Sequence, residues 1–449
     1  MQDVSVLASP SGDSVRLTWR HRGSLVSCWP ADVLAVSLAD RVVQVHHYPL
    51  LKRPPSCCCA ERGVREYVPL RLECASAAAA QAAAARIEAE LGRRPRHLAV
   101  LVNPAAGSGR GLAVYRQQVQ PLLELSGVRV TLTVSERRDH ASEVVASLDL
   151  AGLDGLLVVS GDGTLSEVYA GLAAHPQREA ALHFPLGVIP AGSGNAVAKS
   201  LAFLAGEDCS VLGATLGALT CTSPLALDVA SVTQDDSPPM YALLSLSWGL
   251  VADIDVESEA LRFLAGARFT VQALVRCLLL RRYTGRLLFR PADAASTAGR
   301  EETPGEAASA GGGAWRVMDG PLEGVWALNV PFGSLSAHAA PGALPADGCF
   351  HLVVMRGGSG LAQLAALSAM DEGSHVAHSC ITVIPAGEFV LEPGNECSGG
   401  TAGMMVVDGE LAARRTGGGA LPLRYGRVRV MVHRGGARLL VRPLQEKES

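Results

Sequence analysis

The apolar run Gly155-Leu156-Leu157-Val158-Val159 ends in Ser160-Gly161-Asp162-Gly163-Thr164, and this stretch restricts the fold more than any other part of the chain. With no polar residue alternating along it, the run predicts a strand covered on both faces, as in a parallel sheet. Helical spacing resumes at Leu165-Ser166-Glu167-Val168-Tyr169-Ala170-Gly171-Leu172. Strand, glycine turn and helix form the unit that lays backbone N–H groups against phosphate. Glycines on both sides of Asp162 let the backbone approach a ligand with no Cβ in the way. The stretch therefore predicts a carboxylate at the mouth of an anion-binding turn. Gly-Asp-Gly is also ordinary turn chemistry, so the reading needs support from elsewhere.

That support begins at His97, where strands and helices alternate. Leu98–Val102 reads as a buried strand ending in Asn103-Pro104, followed by Ala105-Ala106-Gly107-Ser108-Gly109-Arg110-Gly111 and a helix to about Leu125. Val128–Val134 is a second strand, closed by Ser135-Glu136-Arg137-Arg138-Asp139-His140 and a helix from Ala141. Leu186–Pro190 is another, closed by Ala191-Gly192-Ser193-Gly194-Asn195 and a helix from Ala196. In an open parallel sheet, ligands bind beyond the carboxyl ends of the strands, so these closing segments share one crevice. Neither Walker A nor GxGxxG spacing is present. Arg137 and Arg138 fit a solvated turn or a phosphate contact; their place at a strand's carboxyl end favours the contact.

The chain has 449 residues, room for more than one domain, and a formal charge of −4 from 39 basic and 43 acidic residues. Such a balance provides no general field for nucleic acid, and no nucleic-acid-binding motif occurs. Met1–Val15 lacks a secretory pattern, and no apolar window reaches the ~18 residues of a membrane-spanning helix. Eleven cysteines, mostly single, fit reduced thiols in a cytoplasmic protein. Residues 1–95 read as a β-rich extension plus an alanine-rich linker helix over 77–85 and beyond, residues 96–222 as an α/β nucleotide-binding domain, and residues 223–445 as a mainly β, sandwich-like domain. A disordered insertion is expected at about 291–315. Cys57-Cys58-Cys59 fits either a palmitoylation site or a cysteine-rich surface turn.

Taken together, Asn103-Pro104, Ser135–Ala141, Ser160–Gly163, Pro190–Ala196, Trp248–Glu259 and Val407-Asp408-Gly409-Glu410 resemble, in order, the motifs of the sphingosine kinases within the diacylglycerol-kinase-like lipid kinases. The resemblance implies a two-domain lipid kinase that moves the γ-phosphoryl group of ATP to the primary hydroxyl of a sphingoid base. By it, Asp162 would activate or orient that hydroxyl. ATP would contact Asn103, Pro104, Ser135, Glu136, Arg137, Arg138, Asp139, Gly161, Gly163, Glu167, Gly192, Ser193, Gly194, Arg262, Arg268, Asp408, Gly409 and Glu410. Mg²⁺ is implied by metal-bridged phosphates, with its protein ligands unknown. The lipid would contact Ser160, Asp162 and Asp255, with Phe269, Leu274 and Leu278 around its tail. Asp255 would read the base's ammonium, a charge that ceramide and diacylglycerol lack.

The apolar segment Arg268–Tyr283 is expected to be a helix, core on one face and lipid wall on the other. Asp253, Asp255, Glu257 and Glu259 would otherwise read as a solvated acidic strand or helix start. Ala105-Ala106 departs from the family's Gly-rich or basic pattern, and Ser135 stands where Thr is common. The resemblance also implies peripheral membrane association; a homodimer is left open. Competing readings are a ceramide or diacylglycerol kinase, a soluble-metabolite kinase such as an NAD kinase, and a lipid-binding scaffold without catalysis. The apolar segment argues against the soluble kinase, and retention of Asp162, Arg262, Arg268 and Asp408 argues against the scaffold.

Overall fold

The structure, a computed structural model, describes residues 5–8, 15–21, 24–52, 63–235, 237–264, 267–292, 314–397, 403–415 and 421–442. Cys57-Cys58-Cys59 and nearly all of the expected insertion fall outside them.

The expected parallel sheet is present. Arg129–Val134, His97–Val102, Gly155–Ser160 and Pro185–Pro190 lie side by side in that order, every pairing parallel. Every residue of Gly155–Ser160 is buried, as its unbroken apolar run requires, whereas the edge strand Arg129–Val134 is largely exposed. Helices cover both faces, Leu101, Leu156, Val168 and Leu172 belonging to one core and Val100, Leu157, Leu123 and Leu216 to the other.

The C-terminal region is mainly β. Its long strand Ile381–Cys397 pairs Phe350–Met355 along its first part and both Tyr283–Pro291 and Val428–Leu439 along its second. It thereby links two groups of strands around a core that includes Trp248, Tyr283, Phe350 and Phe389. The sequence shows only the first residues of this strand as a β run, because Pro385, Gly387 and Pro393 interrupt it. The last strand, Val428–Leu439, is antiparallel to Leu225–Thr233, and its end pairs in parallel with Pro185 and Leu186. This strand thereby makes one continuous sheet of the parallel strands and the C-terminal strands.

At the N-terminus, Val33–Ala39, Val42–His47 and Val68–Glu73 form an antiparallel sheet, with Ser5–Ala8, Val15–His21 and Ser24–Cys28 forming another. The alanine-rich segment is the helix Ala77–Glu90, opened by the Ser76 hydroxyl accepting from the Ala79 N–H. Ala80, Ala83, Ala84 and Ile87, at i, i+3, i+4 and i+7, pack on Leu17, Val43, Val45 and Leu72. The helix thus closes the module's core as well as leading to the next strand.

Candidate active site

The carboxyl ends of the parallel strands build a floor of glycine turns. Asp162 opens the helix Asp162–Ala174, but its carboxylate serves the next one, Ala196–Leu204. Oδ2 accepts from the Ala196 N–H at 2.8 Å and Oδ1 from the Val197 N–H at 3.2 Å. These are among the donors that a helix start leaves unpaired. Asn195, at φ 47°, ties the preceding turn by accepting from the Gly192 N–H at 2.9 Å and donating to the Gly192 carbonyl at 2.6 Å. Gly161 and Gly192 touch: a Cβ on Gly192 would stand 2.3 Å from the Gly161 Cα. Gly107, at φ 59°, brings the first turn against the carbonyl of Ala191. Asn103 donates to Thr164 Oγ1 at 2.9 Å and accepts from the Ala105 N–H, and Ser160 donates to the same Thr164 oxygen at 2.6 Å. Asn103, Ser160, Gly161 and Gly192 of the expected site therefore meet here, with Pro104 at the turn beside Asn103 and Ser193 and Gly194 between Gly192 and Asn195.

Charged residues form the rim. Arg137 pairs with Glu143, its closer contact at 2.5 Å, and Arg138 reaches across the site to Glu410 at 3.0 Å; all four side chains are largely exposed. The Glu410 carboxylate lies 3.2 Å from where a Cβ on Gly163 would be. Asp139, at φ 62°, precedes the helix His140–Ala146, and the Glu136 N–H donates to His140 Nδ1. Ser135 is buried beneath them, its N–H bonded to the Val102 carbonyl. Glu167, near Asp139, Arg138 and Glu410, has its carboxyl raised above the usual range, chiefly by burial.

Asp408 and Gly409, at φ 49° and 81°, form the turn between Met404–Val407 and Glu410–Arg414. Asp408 is buried, and its carboxylate accepts from the N–H groups of Leu243, Leu244 and Ser245 at 2.8 to 2.9 Å and from the Ser166 hydroxyl at 2.5 Å. All of its bonds hold protein to protein, and among the three residues of this turn that were expected at the nucleotide, Glu410 is the one whose side chain faces the rim.

The acidic run is the helix Leu250–Ser258 with the 3-10 turn Glu259–Leu264, the latter containing Arg262. It lies against the helix Ala267–Leu278, and basic residues on and after that helix neutralise it. Arg281 binds Asp253 at 2.6 Å and Glu257 at 2.8 Å, Arg276 binds Glu257 at 3.1 Å, and Arg268 binds Glu259 at 2.5 Å. Tyr283 also donates to Asp253. Asp255 is the exception: among the described residues its half-buried carboxylate has no hydrogen bond or ion pair, although Arg268, Glu259 and Glu410 are close enough to act on its charge.

This charge pairing sets which face of the second helix is buried. Its buried residues are Gln272, Arg276 and Cys277. Phe269, Leu274 and Leu278, expected around a lipid tail, are 37 %, 45 % and 67 % exposed, and Val271, Val275 and Leu279 are exposed with them. The physical reason is that the neighbouring helix presents carboxylates, so the basic face turns inward. Arg281 and Arg282 lie beyond the helix end, before the strand Tyr283–Pro291. Leu250 and Ile254 of the first helix belong to an apolar cluster with Trp326, Leu328, Val353 and Met370.

Burial pushes the Asp162 carboxyl up to about 6 against the pull of the Ala196 and Val197 amides, and the nearby Asp408 adds to the rise. Burial likewise pushes Asp255 up to about 6, with Arg268 opposing and Glu259 and Glu410 reinforcing. Both carboxyls are thus raised by burial, and a cation bound beside either would draw it down again. Among the described residues no three His, Cys, Asp or Glu side chains are grouped to hold a metal.

Thr164, Ser166 and Asn195, which bind the site together, lie in or beside the motifs but are not among the residues expected at the site. Asn195 carries a usable signal, a residue tolerant of positive φ just before a helix.

Residues 97–220 match the family model of the diacylglycerol kinase catalytic domain. Sphingosine kinase 1 of Arabidopsis thaliana is 36% identical over 338 residues, covering 72% of this chain and 69% of that protein. Sphingosine kinase 1 of Homo sapiens is 36% identical over 345 residues, covering 71% of this chain and 86% of that protein. Among solved structures, a crystal structure assigned as a diacylglycerol kinase from Bacillus anthracis str. Sterne aligns with a TM-score of 0.53 at 17% identity, over 78% of this chain and 99% of its own. That likeness extends the two-domain fold to this chain.

Proposed function

Because the chain belongs to the sphingosine kinase family and is an ATP-dependent lipid kinase, we propose that it phosphorylates the primary hydroxyl of a sphingoid base such as sphingosine, with Asp255 holding the ammonium and Asp162 serving the hydroxyl. The observation carrying this reading is the selective neutralisation of the acidic run. Asp253, Glu257 and Glu259 are paired with protein cations, and Asp255 alone of the four is left for a cation from outside. A neutral acylated lipid has no positive charge to offer that carboxylate.

In the reaction, the lipid oxygen bonds to the γ-phosphorus as the bond from that phosphorus to the β–γ bridging oxygen breaks, and ADP leaves. The hydroxyl proton passes to a carboxylate oxygen of Asp162, whose amide bonds to residues 196 and 197 fix its direction. Arg137 and Arg138 at the rim suit the phosphate charge, and the glycine floor suits close backbone approach. Mg²⁺ would supply charge neutralisation across the phosphates when bound.

Membrane association is part of the same proposal. Val271, Leu274, Val275, Leu278 and Leu279 form an exposed apolar face, continued by Leu361 of the helix Gly360–Ser368, and the substrate resides in a bilayer. No helix among the described residues is long and apolar enough to cross a membrane. Leu274→Glu with Leu278→Glu is expected to lower sedimentation with phosphatidylcholine–phosphatidylserine vesicles.

The deciding assay offers sphingosine, phytosphingosine, ceramide and diacylglycerol in parallel with γ-labelled ATP and Mg²⁺, using wild type and Asp162→Ala. Transfer confined to the amine-bearing lipids and lost in the variant is expected. Equal transfer to the neutral lipids would replace this reading with that of a sister lipid kinase.

A further inference from the structure

The helix Ala196–Leu204 is held at both ends by groups from other parts of the chain. At its start, the Asp162 carboxylate takes the Ala196 and Val197 N–H groups. Just past its end, residues 206–208 lie along the N-terminal strand Gly63–Arg65. The Gly63 N–H donates to the Gly206 carbonyl at 3.1 Å, and the Asp208 N–H donates to the Gly63 carbonyl at 3.0 Å. Beside these bonds, the buried Arg65 places Nε and Nη2 on Glu207 Oε1 at 3.0 and 2.6 Å, and Nη1 on Asp32 Oδ1 at 2.7 Å and the Tyr48 carbonyl at 2.8 Å. Arg442, near the other end of the chain, reaches the same Asp32 oxygen at 2.9 Å.

Two carboxylates and two guanidiniums thus meet in a buried node where the N-terminal module, the segment after the helix and the last residues of the C-terminal region come together. A charge in such a place is tolerated only with its partners in position, so the node has one favoured geometry. The helix between the node and Asp162 has nine residues, about 13 Å at the usual rise. So short a helix moves as a rigid unit, and a displacement at Glu207 reaches the two amides that aim the Asp162 carboxylate.

We propose that Arg65 is a positioning residue for phosphoryl transfer: through Glu207 it seats the helix whose first amides orient Asp162, which makes the N-terminal module a working part of the catalytic unit. The inference rests on the assignment of Asp162 to the hydroxyl proton. Without that assignment the node is a fastening between domains. The two roles differ in what they alter. A fastening changes how much protein is folded; a positioning group changes the turnover and proton affinity of the folded enzyme.

The test uses the full chain with Arg65→Met, Arg65→Lys and Glu207→Gln, measuring kcat and both KM values from about pH 5 to pH 8, with thermal unfolding of each variant. Arg65→Met is expected to lower kcat by about tenfold to a hundredfold, the cost of a displaced catalytic group, with both KM values within about twofold. Weakened amide bonds to Asp162 should also move the acid limb of kcat to higher pH. Glu207→Gln retains Oε1 as an acceptor but removes the charge that answers Arg65, so it should show the same two changes to a smaller extent than Arg65→Met. Arg65→Lys, which keeps the charge without the guanidinium's several donors, should show the same two changes to a smaller extent, and it decides the matter if Arg65→Met does not fold. Folded Arg65 variants with unchanged kcat and an unmoved acid limb would overturn the proposal, as would activity lost only in proportion to the unfolded fraction. Absence of lipid phosphorylation by wild type would instead remove the kinase reading beneath it.

Discussion

Replacing Asp255 by Asn tests how the enzyme recognises an amine. The substitution keeps size and one acceptor oxygen but removes the charge from the unpaired acid of the run. A hydrogen bond to a charged partner contributes about 1.5–3 kcal/mol net. Two unit charges 4 Å apart attract by about 4 kcal/mol at an effective dielectric constant of 20, before the desolvation that binding requires. Because Asp255 is half-buried, part of that desolvation is already met in the folded protein, and a loss of about 2–3 kcal/mol is expected, or roughly 30- to 150-fold in kcat/KM. The assay is initial-rate transfer from γ-labelled ATP to sphingosine in mixed micelles at pH 7.5, with ceramide as the uncharged comparison. Turnover of ceramide, however slow, should change by less than about threefold, so the preference for the base should collapse from its own side. A loss under threefold with sphingosine, or equal losses with both lipids, would refute the assignment of Asp255 to the ammonium.

The acid limb of kcat should lie near pH 6, where burial puts the Asp162 carboxyl. The base works ionised, so kcat should fall about tenfold per pH unit below that value and level off above it; a limb near pH 4 would contradict the role. Gly192→Ala would drive a Cβ to within 2.3 Å of the Gly161 backbone, and separation of the two turns should cost about 1–3 kcal/mol of stability together with most turnover, checked by urea unfolding and by rate. Asp408→Ala strands three backbone N–H groups and the Ser166 hydroxyl, so a loss of roughly 3 kcal/mol or more is expected in urea unfolding, and a loss of ATP affinity alone, with normal stability, would show a nucleotide contact in place of this structural role.

Local pattern was enough for the parallel sheet and its glycine turns. An unbroken apolar run such as Gly155–Val159 is legible because burial on both faces is a requirement of each residue in turn, and glycines beside Asp162 and Asn195 are legible because backbone conformation and close approach are local demands. Motif order then indicated the family, since motifs such as Ser160–Gly163 and Trp248–Glu259 keep their residue types wherever they lie in space.

Tertiary structure decided how the charges are shared. Composition and spacing do not distinguish Asp253, Asp255, Glu257 and Glu259, and the motif resemblance alone picks out Asp255; Arg268, Arg276 and Arg281 supply the physical difference by pairing with the other three. The same pairing turned the basic side of the Ala267–Leu278 helix inward and its leucines outward, against the ordinary expectation from amphipathic spacing. Asp408 meets Ser166 across 242 residues and Arg65 meets Glu207 across 142, so neither partnership leaves a trace in local composition. Hydrophobic periodicity is a property of neighbouring residues, whereas the partner of a buried charge is set by whichever segment the fold brings to it.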